Sequence, residues 1–208
     1  VISMALDTYA NLKTALSTWS GRVDLSTTGA DDDGIDLFES WCNRNLRVRS
    51  MLVTNAAMTL ASGAITHPTD WLQWKSLTNP TSPYRIEIVA EESLSAIQES
   101  QLTGNIVYAV PGATSTALNP AQTSIAGVIG KYYGAIPALS GSNTTNWLLT
   151  KFPDAYLYGC LLAMGSWARD TEQRASWGAA FDVVIQQIKD ESDSATYGGS
   201  TLQIRNAR

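Results

Sequence analysis

His67 is the only histidine in the chain, so histidine-based catalysis or metal binding would have to use it. It lies in the segment His67-Pro68-Thr69-Asp70, at the end of a predicted β-strand. A catalytic or metal site needs partner side chains at suitable spacing, and none accompany this histidine. The sequence also lacks a Gly-x-Ser-x-Gly nucleophile elbow. We therefore interpret His67 as a turn residue and predict no catalytic, metal-binding or cofactor-binding residues.

Carboxylates are the other side chains that could do chemistry. Asp31-Asp32-Asp33 is the densest acidic run, but it lacks the alternating spacing of a calcium-binding loop. We interpret it as a solvated loop whose Asp33 caps the following helix; the alternative is a negative rim that repels DNA in a channel or contacts a basic partner. Glu91 and Glu92 are adjacent, and adjacent residues on a helix point about 100° apart. They therefore do not face each other as an acid/base pair would.

The composition narrows the class of protein. A net charge of −5 and the absence of a basic patch argue against DNA binding by phosphate neutralisation. No apolar stretch approaches the roughly 20 residues of a membrane span, and no signal peptide is visible, so we expect assembly in a reducing cytoplasm and no membrane contact. Cys42 and Cys160 are too few for a disulfide framework, and we predict buried, reduced thiols.

Two helices are predicted in the first 52 residues. In the first, Asp7 is the expected N-cap and Ser20-Gly21 the end. The second is expected from about residue 35 to about residue 49, after a loop over residues 26–34. The first helix carries its apolar side chains at helical spacing on one face: Tyr9, Leu12, Leu16 and Trp19.

The pattern changes between residues 53 and 137, where short β-branched and aromatic runs alternate with Gly, Pro and Asn. This is typical of short antiparallel strands. We predict strands at residues 56–60, 64–67, 72–77, 84–89, 106–110, 116–118 and 125–133. Ala61-Ser62-Gly63 is predicted to be a hairpin turn, and residues 91–100 a short helix.

Helical periodicity returns in the last third of the chain. Residues 145–150 are predicted as a short helical turn, and Pro153 as the first residue of a helix that ends near residue 169. Asp170 and Gln173 are a candidate capping box for a last helix. Its predicted apolar face consists of Trp177, Phe181, Val184, Ile185 and Ile188.

The fold predicted from these elements is α+β. The N-terminal helices (residues 1–52) and the C-terminal helices (138–192) should pack as an antiparallel bundle, with an inserted antiparallel β domain (53–137) projecting from it. Residues 193–208 contain Gly198-Gly199 and small polar residues, and we expect no regular element there but an extended C-terminal arm.

A run of irregular motifs lies in the second half of the chain. The segments are Lys131-Tyr132-Tyr133-Gly134-Ala135-Ile136-Pro137-Ala138-Leu139-Ser140, then Asn146-Trp147-Leu148-Leu149, then Pro153-Asp154-Ala155-Tyr156-Leu157-Tyr158-Gly159. In this order they closely resemble the head–tail connector (adaptor) proteins of tailed bacteriophages and related gene-transfer particles. Leu46-Arg47-Val48-Arg49, Pro68-Thr69-Asp70-Trp71-Leu72 and the Gly-Gly tail agree with the resemblance, which extends over nearly the whole chain.

The resemblance implies a structural virion protein at the head–tail junction. It would form a homo-oligomeric ring, usually dodecameric, that joins the portal protein to a tail or nozzle protein and continues the channel through which DNA passes. The motif residues would define the fold at a corner between strand and helix: Tyr132, Tyr133, Pro137, Trp147, Pro153, Asp154, Tyr156 and Gly159. We expect Trp147 and Tyr156 to be buried there.

The tail would dock on the portal. Leu202 and Ile204 fall on one face of an extended strand, and Arg205 and Arg208 suit carboxylates on a partner; with Tyr197 they form the predicted portal-binding arm. Such a strand can add to an exposed sheet edge. The alternatives are another neck or tail-tube structural protein, or a virion-associated cell-wall hydrolase, for which the sequence offers no recognisable site.

Overall fold

The structure, a computed structural model, describes residues 6–58, 60–79, 85–93, 108–119, 128–168 and 171–198. The chain divides into two compact units. One combines the residues up to Ser50 with those from Ile136 onward, and the other is Met51–Ala135. We call them the helical unit and the β unit.

The helical unit is built around its most apolar helix. Its elements are α1 (Tyr9–Ser20), α2 (Leu25–Thr28), α3 (Ala30–Asn45), α4 (Trp147–Lys151), α5 (Pro153–Ala168) and α6 (Thr171–Tyr197). Helix α5 packs against α1, α3, α4 and α6. The first and last parts of the sequence therefore share one core, while the antiparallel direction of the bundle stays a prediction.

The ends of the first helix follow local rules. Thr8, and not the predicted Asp7, is the N-cap, because its Oγ1 accepts the Asn11 N–H at 3.3 Å. Gly21 ends α1 in the left-handed conformation with φ 65°, which glycine adopts without steric cost. Leu12 and Leu16 are fully buried as predicted, but Trp19 is 52% exposed.

The second predicted helix is displaced in the structure. Helix α3 starts at Ala30 and ends at Asn45, where Leu46 turns extended, so the predicted span of about 35–49 was wrong at both ends. The loop predicted for residues 26–34 contains α2 and the first turn of α3. The three aspartates thus lie inside the first turn, where carboxylates interact favourably with the positive end of the helix dipole.

The last helix is longer than the sequence indicated. Helix α6 runs to Tyr197, so the prediction that regular structure ends at residue 192 was wrong for residues 193–197. The predicted apolar stripe is buried at Phe181, Val184, Ile185 and Ile188. Asp170 of the predicted capping box lies outside the described residues.

The β unit is one curled sheet. Its strands are β1 (Leu52–Met58), β2 (Leu60–Ala61), β3 (Ala64–Thr66), β4 (Trp71–Thr78), β5 (Arg85–Ile88), β6 (Tyr108–Pro111), β7 (Ser115–Asn119) and β8 (Val128–Gly134). The order across the sheet is β1-β8-β4-β5-β6-β7-β3-β2. The two outer strands, β1 and β2, are nearly consecutive along the chain, so the sheet must curl to bring its two edges near each other.

The pairing of the strands corrects one prediction. All described pairs are antiparallel except β5 and β6, which run parallel with Glu87 opposite Tyr108. The sheet is therefore mixed and not purely antiparallel. Hairpin formation between β2 and β3 is as predicted: Ser62 and Gly63 both have positive φ, 53° and 78°, as a two-residue type I′ turn requires.

The curl encloses an apolar core. Trp74 on β4 donates its Nε1–H to Thr116 Oγ1 on β7 at 2.7 Å, although the two strands are three positions apart in the sheet. The buried side chains around this bond come from seven strands: Met58, Ile65, Trp74, Leu77, Ile86, Ala109, Leu118, Val128 and Tyr132. The side chains on the inner face of the sheet therefore pack against one another and form the hydrophobic core of the β unit.

Candidate functional site

A buried polar cluster lies at the corner where the chain enters the C-terminal helices. Tyr156 on α5 donates its hydroxyl hydrogen to Glu39 Oε1 on α3 at 2.8 Å. Asn146 donates from Nδ2 to the Tyr156 hydroxyl at 2.6 Å and to the Pro137 carbonyl at 2.8 Å. Its Oδ1 accepts the Leu149 N–H and thereby caps α4. We call Glu39, Asn146 and Tyr156 the polar corner.

The polar corner also holds an irregular stretch of main chain. The Leu139 N–H donates to Glu39 Oε1 at 3.0 Å, and the Ile136 N–H donates to Asn43 Oδ1 at 2.9 Å. Residues 136–146 contain no described helix or strand, so side chains must accept the N–H groups that secondary structure would otherwise satisfy. Two residues one turn apart on α3 therefore position the segment that carries the motif.

Burial controls the electrostatics of this corner. Glu39 is 4% exposed, and loss of solvent raises its pKa above the ordinary value, although the Leu139 N–H and the Tyr156 hydroxyl favour the charged form. Burial also raises the pKa of the Tyr156 hydroxyl and of the Cys42 and Cys160 thiols. Both thiols are free and fully buried, and their raised pKa values make them unreactive.

Close packing of α5 on α3 completes the corner. The Phe38 ring contacts the Tyr156 ring edge-on, with 4.8 Å between centroids. Phe38 also lies so close to Gly159 that a Cβ there would overlap the ring. Glycine at position 159 is thus required by the helix contact, and Tyr156 is fully buried as predicted.

The other motif residues of the helical unit differ in exposure. Pro153 is the first residue of α5 as predicted, and Asp154 Oδ1 accepts the Ala155 N–H in the first turn. Pro137 is exposed and contributes its carbonyl. Trp147 is only half-buried, so its predicted burial was wrong. The side chains that α4 buries completely are the next two, Leu148 and Leu149.

The tyrosines of the motif belong to β8 in the β unit. Tyr132 is buried, and its hydroxyl donates to Asp70 Oδ1 at 3.0 Å; burial and this bond raise its pKa to about 12. Tyr133 is half-buried. A Cβ at Gly134 would lie 2.8 Å from Asp70 Oδ2, so the glycine permits the close approach of Asp70 to the strand.

The acidic run is not the solvated loop that was predicted. Asp31 is 1% exposed, and its Oδ2 lies 3.2 Å from Lys13 Nζ on α1. Asp32 Oδ1 accepts from Lys13 Nζ at 2.7 Å and also from the Tyr9 hydroxyl. Both contacts lower the pKa of Asp32. Two of the three carboxylates therefore attach α1 to the start of α3, and Asp33 does not cap the helix, because Gly29 is the N-cap.

The candidates for catalysis are not assembled into a site. His67 Nε2 lies 2.7 Å from Thr116 Oγ1, and its ring stacks on Trp71 with 3.7 Å between centroids. Burial lowers the pKa of His67. Glu91 and Glu92 are exposed. Among the described residues no group of His, Cys, Asp and Glu could hold a metal ion, and no helix there is long and apolar enough to cross a membrane.

The predicted arm falls mostly beyond the described part of the chain. Tyr197 is the last residue of α6 and is 68% exposed. Gly198 donates its N–H to the Ser194 carbonyl at 2.7 Å. The prediction that Tyr197 belongs to an extended arm was therefore wrong, because the helix includes it. Leu202, Ile204, Arg205 and Arg208 lie outside the described residues, so the portal-binding arm stays a prediction for the residues after α6.

The polar corner was not predicted from the sequence, although one local signal indicates it. Ile35, Glu39 and Cys42 follow each other at helical spacing, which places a carboxylate on the apolar face of α3. A charged residue is rarely buried without partners, so Glu39 could have been assigned a buried donor. Its donors, at positions 139 and 156, are a hundred or more residues away in sequence.

Comparison with known proteins identifies the family of the chain. A search of curated proteins finds no match. The family model described as SU10 adaptor protein matches residues 7–205, which is nearly the entire chain. The match includes both units and the polar corner, and the chain therefore belongs to the SU10 adaptor protein family, a family of phage head–tail adaptors.

Proposed function

We propose that this protein is the connector subunit that joins the portal to the tail. Copies of the chain form a ring, dodecameric by resemblance, which continues the DNA channel and binds a tail or nozzle protein on its other side. The observation that carries the proposal is the family match over residues 7–205. It extends beyond the last described helix, through most of the proposed docking arm.

The charge of the chain supports a channel that DNA passes without being held. Protein–DNA affinity comes largely from lysine and arginine side chains that neutralise phosphates. This chain carries 14 Lys and Arg against 19 Asp and Glu, for a net charge of −5. A ring of such subunits repels the passing duplex on average, as a conduit requires.

The docking arm is proposed to comprise residues 199–208. It follows Gly198, where α6 has ended, and a Gly-Gly pair gives the backbone wide conformational freedom. In an extended strand Leu202 and Ile204 share one face and Gln203 faces the other way. A strand of this kind adds to an exposed sheet edge or groove on the portal, with Arg205 and Arg208 pairing with carboxylates.

The test is portal binding by truncated and substituted proteins. Removing residues 199–208 leaves all of α6 in place, so the melting temperature should be unchanged within about 2 °C while binding to purified portal is lost. The double change Leu202→Ala with Ile204→Ala should weaken binding more than about tenfold. The matched change Thr201→Ala with Gln203→Ala, on the other strand face, should have little effect.

Biosensor measurements with immobilised portal distinguish these outcomes. Wild-type affinity of the truncated protein would contradict the docking arm. Equal losses for both double changes would contradict a strand with one binding face. Electron microscopy of assembled particles, with the subunit located at the neck, tests the connector assignment itself.

A further inference from the structure

We propose that an apolar groove on the helical unit binds the outer face of α6 from a second copy of the chain. The groove is formed by α3, α5 and α6. This inference rests on the proposed ring and names the surfaces through which neighbouring subunits contact each other.

The groove is an open apolar depression with a cationic rim. It has a volume of about 260 Å³ and is lined by Leu37 and Trp41 from α3, by Leu162 from α5 and by Phe181 from α6. Leu37 is 57% exposed although it is a large apolar side chain. Among the described residues that line the groove, Arg44 and Arg174 are charged and none is a carboxylate.

The apolar surface continues on the other side of Leu37. A second depression of about 170 Å³ lies there, and it shares Leu37 and Ala163 with the first. Gly34 and Met164 extend its apolar lining, and Asp33 is the charged residue at its edge. The two depressions form one continuous apolar surface, as in complexes where an amphipathic helix binds a groove.

The outer face of α6 has the complementary character. Val183 is 59% exposed and lies about 160° around the helix from Phe181, which faces the groove. At spacings of three and four residues along this face follow Glu172, Ser176, Ala179, Val183, Gln186, Asp190, Ser194 and Tyr197, all exposed. Ala179 and Val183 make the middle of this face small and apolar, and the acidic residues Glu172 and Asp190 lie on either side of them. None of the eight residues is a lysine or an arginine.

Charge and symmetry together select the second copy as the occupant. The cationic rim at Arg44 and Arg174 matches the carboxylates of Glu172 and Asp190, whereas the outer face of α6 would be repelled by an acidic surface. The groove and the outer face lie on opposite sides of the same helix. A contact between two different patches is heterologous, so each subunit can bind one neighbour on either side, as a closed ring requires.

Cysteine cross-linking in the full-length protein tests the pairing. Leu37→Cys and Val183→Cys place one thiol at the centre of each surface, and the native Cys42 and Cys160 are fully buried. A chain with both changes should form a ladder of cross-linked oligomers under mild oxidation, at high concentration or on portal-bearing particles. A mixture of the two single variants should give dimers that contain one chain of each kind.

Three controls define the results that would overturn the proposal. The single variant Leu37→Cys should give no dimer. A dimer of this variant would need two grooves in contact, and the proposed pairing joins a groove to the outer face of α6. Thr14→Cys, an exposed position on α1, combined with Val183→Cys should give no ladder. Arg174→Glu should lower the Leu37→Cys to Val183→Cys yield more than about tenfold, because it sets like charges against each other. Absence of the ladder, or the same ladder from the Thr14→Cys control, overturns the pairing.

The cross-linking result is separable from the connector assignment. Removing residues 199–208 eliminates the docking arm and should leave the ladder unchanged, since neither surface includes those residues. A ladder without portal binding would support the subunit interface and contradict the docking arm. Portal binding without a ladder would support the docking arm and contradict the subunit interface. The groove would then be a candidate site for another protein.

Discussion

Glu39 is the residue on which the polar corner depends. Its Oε1 accepts from a tyrosine hydroxyl and from a main-chain N–H, so both donors would be unsatisfied without it. Unsatisfied buried donors cost about 1–3 kcal/mol each. Burial of the charged carboxylate also destabilises the folded state, and the same loss of solvent raises the pKa of Glu39. An uncharged acceptor of the same shape should therefore serve this position at least as well.

Substitutions of Glu39 separate the stabilising effect of the hydrogen bonds that it accepts from the destabilising effect of its buried charge. Glu39→Ala should lower the free energy of unfolding by about 2–4 kcal/mol, because the Tyr156 hydroxyl and the Leu139 N–H lose their acceptor. Glu39→Gln should be neutral or stabilising at pH 7, because its amide oxygen accepts both bonds without a buried charge. Urea unfolding of the three proteins gives the comparison. Equal losses for Gln and Ala would contradict the role of Glu39 as an acceptor.

The pH dependence follows from the same raised pKa. The folded state binds the Glu39 proton more tightly than the unfolded state, so this residue contributes most stability at low pH. Its contribution is lost as the pH rises through the window from the ordinary value of 4.5 to the higher folded value. Because other carboxylates titrate as well, the quantity to follow is the difference between wild type and Glu39→Gln, which should grow in favour of the variant from pH 4.5 upward.

At the scale of the elements, a glycine allows α5 to pack closely on α3. Gly159 lies against the Phe38 ring of α3, whereas Gly178 on α6 has its nearest outside atom, Leu162 Cδ1, at 3.6 Å from an added Cβ. Both glycines are in helices, where alanine is intrinsically favoured by up to about 1 kcal/mol. They differ in the space available, which makes them a matched pair.

Alanine at these two positions should shift stability in opposite directions. Gly159→Ala should lower the free energy of unfolding by about 1–3 kcal/mol, because α3 and α5 must separate to admit the methyl group. Gly178→Ala should raise it by up to about 1 kcal/mol. Thermal melts followed by circular dichroism measure both. A stabilised Gly159→Ala protein would show that the helices do not pack as closely as described.

At the scale of the whole molecule, several charged side chains join elements of the fold to one another. Its family is one of phage structural adaptors, and the ionisable residues that interact strongly do so to hold elements together. Lys13 binds the start of α3, Glu39 holds the corner segment, and Asp70 binds β8. Each of these side chains forms an ion pair or a hydrogen bond with another part of the chain.

The purified protein should accordingly leave peptidoglycan intact. A zymogram over several protein concentrations should show no clearing, and Glu91→Gln and Glu92→Gln should give the same result as wild type. These two carboxylates are adjacent in sequence and exposed to solvent. Clearing that either substitution abolished would require the hydrolase alternative instead.

Local patterns in the sequence were sufficient to predict much of the secondary structure of this protein. The first helix, the start of the last helix, most of the strand positions and the Ser62-Gly63 turn could be predicted because periodicity and turn residues act over a few positions. The strand predicted at residues 56–60 was wrong, because the structure has one strand at Leu52–Met58 and another at Leu60–Ala61. The motif from residue 131 to residue 159 was sufficient to identify the family. The free, buried state of Cys42 and Cys160 was also predicted, since isolated apolar thiols have few alternatives.

The tertiary structure decided what depends on distant partners. Asp31 is buried because Lys13 of another helix neutralises it, and Glu39 is buried because residues 139 and 156 donate to it. The parallel pairing of β5 and β6 likewise depends on how the sheet curls. Hydrogen bonds and ion pairs of this kind join residues far apart in sequence, so no local pattern encodes them and only the folded chain brings the groups together.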